Sequence, residues 1–156
     1  MKSIKIQNTH YHRPLLVFAM KEEAENLFDD YQLIFTGLGK INASYTLTKA
    51  IAAYQPDIII NLGTAGSTKF NKGSLVCCTH FVQRDMDVTA LGFDKFLTPF
   101  SQEKAILEAG LALDDLSKGI CGTGDSFETE HKNTEYNVID MEAYALDRKS
   151  TRLNSS

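Results

Sequence analysis

No apolar run in this 156-residue sequence approaches the roughly 20 residues that a membrane-spanning helix needs, so a membrane partner is not expected. Residues 1–13 are polar and lack the pattern of a secretory leader. Lysine and arginine form no stripe and the formal net charge is −4, which argues against nucleic acid as a partner. The three cysteines, Cys77, Cys78 and Cys121, do not make a disulfide framework, and the adjacent pair points to opposite faces of a strand. His10, His12, His80 and His131 have no ligand spacing, so a metal is not expected. A cytoplasmic enzyme or binding domain is the reading these absences leave.

What is present is an ordinary globular balance, 43% hydrophobic and 23% charged, which permits one domain with a real core. Residues 14–19, 31–35, 57–62, 74–82 and 119–122 read as strands. The unbroken apolar run at 57–62 (DIIINL) suits a central strand covered on both faces. Residues 20–30, 41–54 and 101–112 read as helices. In the second, Leu47, Ala50, Ile51 and Tyr54 recur at helical spacing and Pro56 closes the segment; in the third, Ser101 is the N-cap candidate. Residues 1–13 look like an irregular lead-in, and 84–100 is a long loop of the kind that usually serves function. Strands alternating with helices predict an α/β fold with a largely parallel sheet. The order of strands in that sheet is not legible.

The stretch Val138-Ile139-Asp140-Met141-Glu142-Ala143 reads as a short apolar strand ending in two acids before a helix. In an open α/β sheet the carboxyl ends of strands form the ligand crevice, and carboxylates there can accept the O–H groups of a sugar diol. The same residues also read as a helix start, with Asp140 capping and Glu142 near the positive helix end. Position in the pattern favours a site. Glu23 follows the strand at 14–19, the Gly37–Gly39 loop follows 31–35, and Thr64 follows 57–62. Asp85 and Asp87 follow 74–82, and Phe127 and Glu142 follow the last two strands. In a parallel sheet all of them share one rim.

The segment Gly37-Leu38-Gly39-Lys40 is not a phosphate loop, because Ile34 stands where such a loop needs glycine and Ile41 where it needs Ser or Thr. It also fails the dinucleotide pattern, since Asn42 replaces the third glycine. These glycines, like those of Gly63-Thr64-Ala65-Gly66, either admit a ligand close to the backbone or simply turn the chain. Glu23 is either a general base toward water or, beside Lys21, Glu22 and Glu25, part of a solvated helix face. Phe127 is either a stacking surface for a flat base or a core aromatic. Asp85 and Asp87 either bind a ligand or shape their loop through Asx turns.

Six segments, in order, resemble the nucleoside phosphorylase/nucleosidase superfamily, and within it the 5′-methylthioadenosine/S-adenosylhomocysteine nucleosidase branch. They are Ala19-Met20-Lys21-Glu22-Glu23, Thr36-Gly37-Leu38-Gly39-Lys40, Asn61-Leu62-Gly63-Thr64-Ala65-Gly66, Arg84-Asp85-Met86-Asp87-Val88-Thr89-Ala90-Leu91-Gly92-Phe93, Thr123-Gly124-Asp125-Ser126-Phe127 and Asp140-Met141-Glu142-Ala143. The resemblance implies a three-layer fold, a mostly parallel central sheet with helices on both faces. It implies that Glu142 holds the ribose hydroxyls with Met141 packed on the sugar. Glu23 would orient and deprotonate the attacking water, helped by Thr64 in the loop with Ala65 and Gly66. Phe127 would stack on adenine, and the backbone near Glu128 would read the base edge. Met20 and Leu38 would line the pocket for the 5′-alkylthio group, with Asp140 close to the same site. The implied ligand is a purine nucleoside, with no cofactor, and the implied assembly a homodimer in which residues 93–100 reach the neighbouring pocket. The phosphate-using branch places arginines in the first and third loops; here those loops hold Glu23 and Thr64, so water is the expected nucleophile.

Two departures shape the expectation. The resemblance implies a catalytic Asp, in a Ser-Asp motif beyond Glu142, that supports protonation of the leaving purine, and this sequence contains no such motif after Glu142. Residues 147–156 (DRKSTRLNSS) abandon the apolar pattern in mid-helix. The expected organisation is therefore a single domain over 1–148, incomplete at its C-terminus, followed by a non-native tail at 149–156. The complete form is expected to release adenine by hydrolysis, and the chain as written to be inactive or very slow. The alternatives are a phosphorylase or another nucleosidase of the superfamily, or a non-catalytic nucleoside-binding fragment.

Overall fold

The computed structural model describes residues 2–130 and 133–150, the side chains of 148–150 excepted. The lead-in is a hairpin: β1 (Ile4–Ile6) and β2 (Thr9–Tyr11) pair antiparallel, turned through Gln7 in the left-handed region. Then follow β3 (Pro14–Phe18), α1 (Lys21–Ala24), β4 (Gln32–Phe35), α2 (Lys40–Tyr54), β5 (Ile58–Asn61) and β6 (Val76–Gln83). A single 3-10 turn at Thr89–Leu91 interrupts the long loop. The chain continues with β7 (Ile106–Glu108), β8 (Ser117–Thr123), β9 (Val138–Asp140) and α3 (Ala143–Ser150). Of the tail expected at 149–156, α3 takes in the first two residues and the rest lies outside the described residues. His131 lies outside them too.

The α/β class and the parallel pairing stand, but the strands form two main sheets rather than one. The first has the order β4-β3-β5, parallel throughout. The second has the order β7-β6-β8-β9, with β6, β8 and β9 parallel and β7 antiparallel. An isolated antiparallel bridge between Gly66 and Ile139 joins them.

The central position of the first sheet belongs to β3, not to the 57–62 run. Leu15, Leu16, Val17 and Phe18 are buried on both faces, each contributing roughly 1.5–3 kcal/mol of apolar burial. One face meets Ala43, Leu47 and Ala50 of α2 and Ala145 and Leu146 of α3. The other meets Ala24, Phe28, Tyr31 and Phe35, so α1 and the turns after it cover that side in place of a full helix. β5 lies at the edge of its sheet and is only half-buried, because an apolar run declares burial but not neighbours.

The expected helix at 101–112 is absent. Ile106–Glu108 pairs with β6 instead, and the hydroxyl of Ser101 accepts the Glu103 N–H in a local turn. Phe100 and Gly110 both sit at positive φ, which closes the segment to a helix at each end. In β8, Gly122 lies under the Tyr136 ring, which would stand 2.6 Å from any Cβ there. Among the described residues no helix is long and apolar enough to cross a membrane. None of their His, Cys, Asp or Glu side chains form a group of three or more able to hold a metal ion.

Candidate active site

Glu23 sits in α1, one turn past β3, and its carboxylate folds back on the strand end. One oxygen accepts the N–H groups of Ala19 (3.0 Å) and Met20 (3.1 Å). The other accepts both the N–H and the hydroxyl of Thr64, each at 2.8 Å. A carboxylate has about four acceptor sites, so Glu23 is saturated. Gly63 makes this approach possible, since a Cβ there would stand 3.2 Å from Glu23 Oε1. The contact leaves Glu23 half-buried and locks the first loop to the third. To take a proton from water, Glu23 must exchange a donor, and the Thr64 hydroxyl is the mobile one.

Glu142 follows β9 and is buried at 8% exposure. Its Oε1 accepts the Gly39 N–H at 2.7 Å. Burial pushes its carboxyl above the ordinary range, as do the charges of Asp140 and Glu23, against the pull of the Gly39 and Met141 N–H groups. The Thr64–Gly66 loop links the two carboxylates: Thr64 donates to Glu23, and Gly66 is hydrogen-bonded to Ile139, three residues before Glu142. Asp140 takes the helix-start role: its Oδ2 accepts the N–H groups of Glu142 (3.2 Å) and Ala143 (2.6 Å), capping α3. Its Oδ1 accepts from the Thr123 hydroxyl (2.5 Å) and the Cys121 thiol (3.2 Å). The Cys121 thiol is hydrogen-bonded to Cys78 and buried, which pushes its pKa well up and keeps it a donor. Asp140 thus fixes the direction in which Glu142 leaves the strand.

Gly66 has a clear task. Its N–H and C=O exchange hydrogen bonds with Ile139 at 2.9 and 2.8 Å, tying the Thr64 loop to the strand that carries Asp140 and Glu142. Ala65 beside it is exposed, and Met141 is half-buried. Met20 and Leu38 are exposed at 38% and 51%, and Phe127 at 86%, so Phe127 is not a core aromatic. An aromatic ring held in water at a rim is available for stacking.

The residue that sequence reading missed here is Arg84. Its buried guanidinium lies across Gly124, where a Cβ would stand 2.8 Å from Cζ. It donates to the Ser126 hydroxyl and to the carbonyls of Gly124 and Ser126, and it pairs with Glu128 at 3.3 Å. The Tyr136 hydroxyl also reaches Glu128, at 3.4 Å. Arg84 therefore shapes the loop that presents Phe127 and Glu128. The Gly in Thr123-Gly124-Asp125 was the signal, a place where a side chain passes over backbone. Asp87 shapes its own loop, accepting the Thr89 N–H and hydroxyl. A separate open cavity of about 520 Å³ lies along Thr79, His80, Glu108, Gly110 and Lys118, toward the amino end of β8 and away from these loops.

A family model described as "Phosphorylase superfamily" matches residues 28–146. The chain belongs to the phosphorylase superfamily. Its superfamily membership brings the β9–α3 stretch and the loops after β4, β5, β6 and β8 within one recognised unit; α1 with Glu23 lies before the matched residues. The 5′-methylthioadenosine/S-adenosylhomocysteine nucleosidase of Bacillus subtilis is 35% identical over 135 residues, covering 73% of this chain and 58% of that protein. The chain spans about three fifths of the length of the curated relatives it matches. In fold, it is similar to the Neisseria meningitidis nucleosidase of the same name, solved with methylthio-immucillin-A: TM-score 0.77, 22% identity, covering 92% of this chain and 81% of that one. It is also similar in fold to a futalosine hydrolase mutant of Helicobacter pylori: TM-score 0.80, 17% identity, covering 90% of this chain and 84% of that one.

Proposed function

We propose that this superfamily member is, in its complete form, a purine nucleosidase that hydrolyses the N-glycosidic bond of 5′-methylthioadenosine or S-adenosylhomocysteine and releases adenine. The observation that carries the reading is the rim itself. Glu23, bound to Thr64, and the buried Glu142 are joined by the Gly66–Ile139 bridge, on the loops after β3, β5 and β9. Cleavage of an N-glycosidic bond builds positive charge on the sugar, which nearby carboxylates stabilise. An incoming phosphate would meet the same carboxylates as like charges. Two cations in these loops are already engaged, Arg84 with Glu128 and Lys40 with Asp85. Water is the nucleophile this arrangement accepts.

In this reading Glu142 accepts the ribose hydroxyls and Met141 packs on the sugar. Glu23 takes the proton of a water placed by Thr64, in the loop with Ala65 and Gly66. Phe127 stacks on adenine, the backbone at Glu128 reads its edge, and Met20 and Leu38 flank the 5′-alkylthio group. Asp140 aims Glu142. The assembly is a homodimer in the cytoplasm. The test follows adenine release from 5′-methylthioadenosine with and without inorganic phosphate. Release of adenine and free thioribose at a rate independent of phosphate supports the reading. A sugar phosphate formed only when phosphate is present overturns it, as does tight nucleoside binding with no cleavage by the full-length protein.

A further inference from the structure

The Gly39-Lys40 step grips two carboxylates with two consecutive N–H groups. The Gly39 N–H donates to Glu142 and the Lys40 N–H donates to Asp125 Oδ1 at 2.8 Å. The Lys40 side chain then turns back on the same cluster, with Nζ 2.5 Å from Asp85 Oδ1 and 3.7 Å from Asp125 Oδ2. The Asp125 N–H closes the ring on Asp85 Oδ2 at 2.9 Å. The loops after β4, β6 and β8 are thereby joined. Gly39 stands at φ 90°, where a side chain is strained, and a Cβ there would press on Asp125 Oδ1 at 3.1 Å, so the position favours glycine. An exposed ion pair would contribute little, but the Lys40 side chain is only 16% exposed and its partners are themselves hydrogen-bonded. Burial works to raise the Asp85 carboxyl, but the Lys40 ammonium and the Asp125 N–H together outweigh it and hold it below the ordinary range, so Asp85 stays charged.

We propose that Lys40 is a positioning residue for the diol acceptor: through Asp85 and Asp125 it fixes the Gly39 peptide whose N–H holds Glu142. The lysine that a phosphate loop would aim at its ligand is here turned into the protein to aim a carboxylate. The ligand in this inference rests on the nucleosidase reading; the network rests on geometry alone.

The experiment compares the 156-residue chain with its Lys40→Met, Lys40→Arg and Asp85→Asn variants. Carboxyl NMR follows the titration of Glu142, with the neighbouring carboxylates Asp140 and Glu23 tracked in the same spectra, and amide NMR follows Gly39. Calorimetry gives affinities for 5′-methylthioadenosine and its 2′,3′-dideoxy analogue. In Lys40→Met the Glu142 midpoint is expected to rise as the Gly39 N–H drifts away, and the Gly39 amide to stop tracking it. Affinity for the diol-bearing nucleoside is expected to fall about tenfold and that for the dideoxy analogue to stay within about twofold, with Lys40→Arg restoring both. An unchanged Glu142 midpoint and Gly39 amide in folded Lys40→Met overturn the proposal, as does an equal loss for both ligands. If Lys40→Met does not fold, Asp85→Asn is expected to give the same shifts in smaller degree, and its silence overturns the proposal. If the parent chain binds neither nucleoside while the midpoint still moves, the positioning role stands and the nucleosidase reading fails.

Discussion

Replacing Glu142 by Gln is expected to raise stability and weaken nucleoside binding in the same protein. The stability side follows from burial. Glu142 is 8% exposed, and its carboxyl is raised by desolvation and by the charges of Asp140 and Glu23. A carboxyl raised in the folded state binds its proton more tightly there than in the unfolded chain. Its charged form therefore costs the fold stability as pH rises past the ordinary carboxylate range. Gln removes that cost, while its amide oxygen can keep the Gly39 N–H at 2.7 Å. A gain of about 0.5–1 kcal/mol, or about 1–4 °C in melting temperature, is the expected size. The binding side has the opposite sign. Gln offers an NH₂ where the diol needs an acceptor, so a charge-assisted hydrogen bond is lost, about 2–3 kcal/mol or roughly 30- to 150-fold in Kd. Thermal melts and calorimetry on the same samples, at neutral pH, read both. A variant that melts lower and binds as before would refute the reasoning on both counts.

Thr64→Ala removes the hydroxyl donor that occupies Glu23 Oε1; turnover by the full-length protein is expected to fall about tenfold with KM little changed, and an equal rise in KM would contradict the water-placing role. Asp140→Ala removes the α3 cap and the partner of the Thr123 hydroxyl, which should lower stability by about 2–4 kcal/mol in urea unfolding; a loss under about 1 kcal/mol would deny the capping role. Asp147, buried beside Glu103, has its carboxyl raised from 3.8 to about 6, chiefly by burial. Its contribution is fully present at pH values below the ordinary carboxylate range and is lost as pH rises toward about 6. The shift corresponds to up to about 3 kcal/mol, roughly halved by remaining solvent access, and Asp147→Asn should flatten that part of the stability–pH curve.

Periodicity served where one element answers to one pattern. The apolar spacing of 41–54 gave α2, and the fully apolar run at 14–18 gave a strand buried on both faces. It misled where a short segment takes its structure from a neighbour. Ile106–Glu108 becomes a strand because β6 has a free edge beside it, a fact held 24 to 28 residues away in the sequence. The 57–62 run was readable as a strand, but its edge position depends on pairing order, which hydrophobicity does not encode. The hairpin at the start was missed because its strands are only three residues long, too short for an alternation to declare itself. Rim residues were legible because strand ends in a parallel sheet share a side. Their partners were not: the Arg84–Glu128 and Lys40–Asp85 pairs join positions more than 40 residues apart.

The most direct test is a structure of this chain with 5′-methylthioadenosine bound. The ribose hydroxyls are expected within hydrogen-bonding distance of Glu142, with Phe127 over the purine and Glu23 facing the anomeric carbon. A nucleoside seated instead in the cavity along His80, Glu108 and Lys118, with the Glu23 and Glu142 carboxylates untouched, would contradict the account.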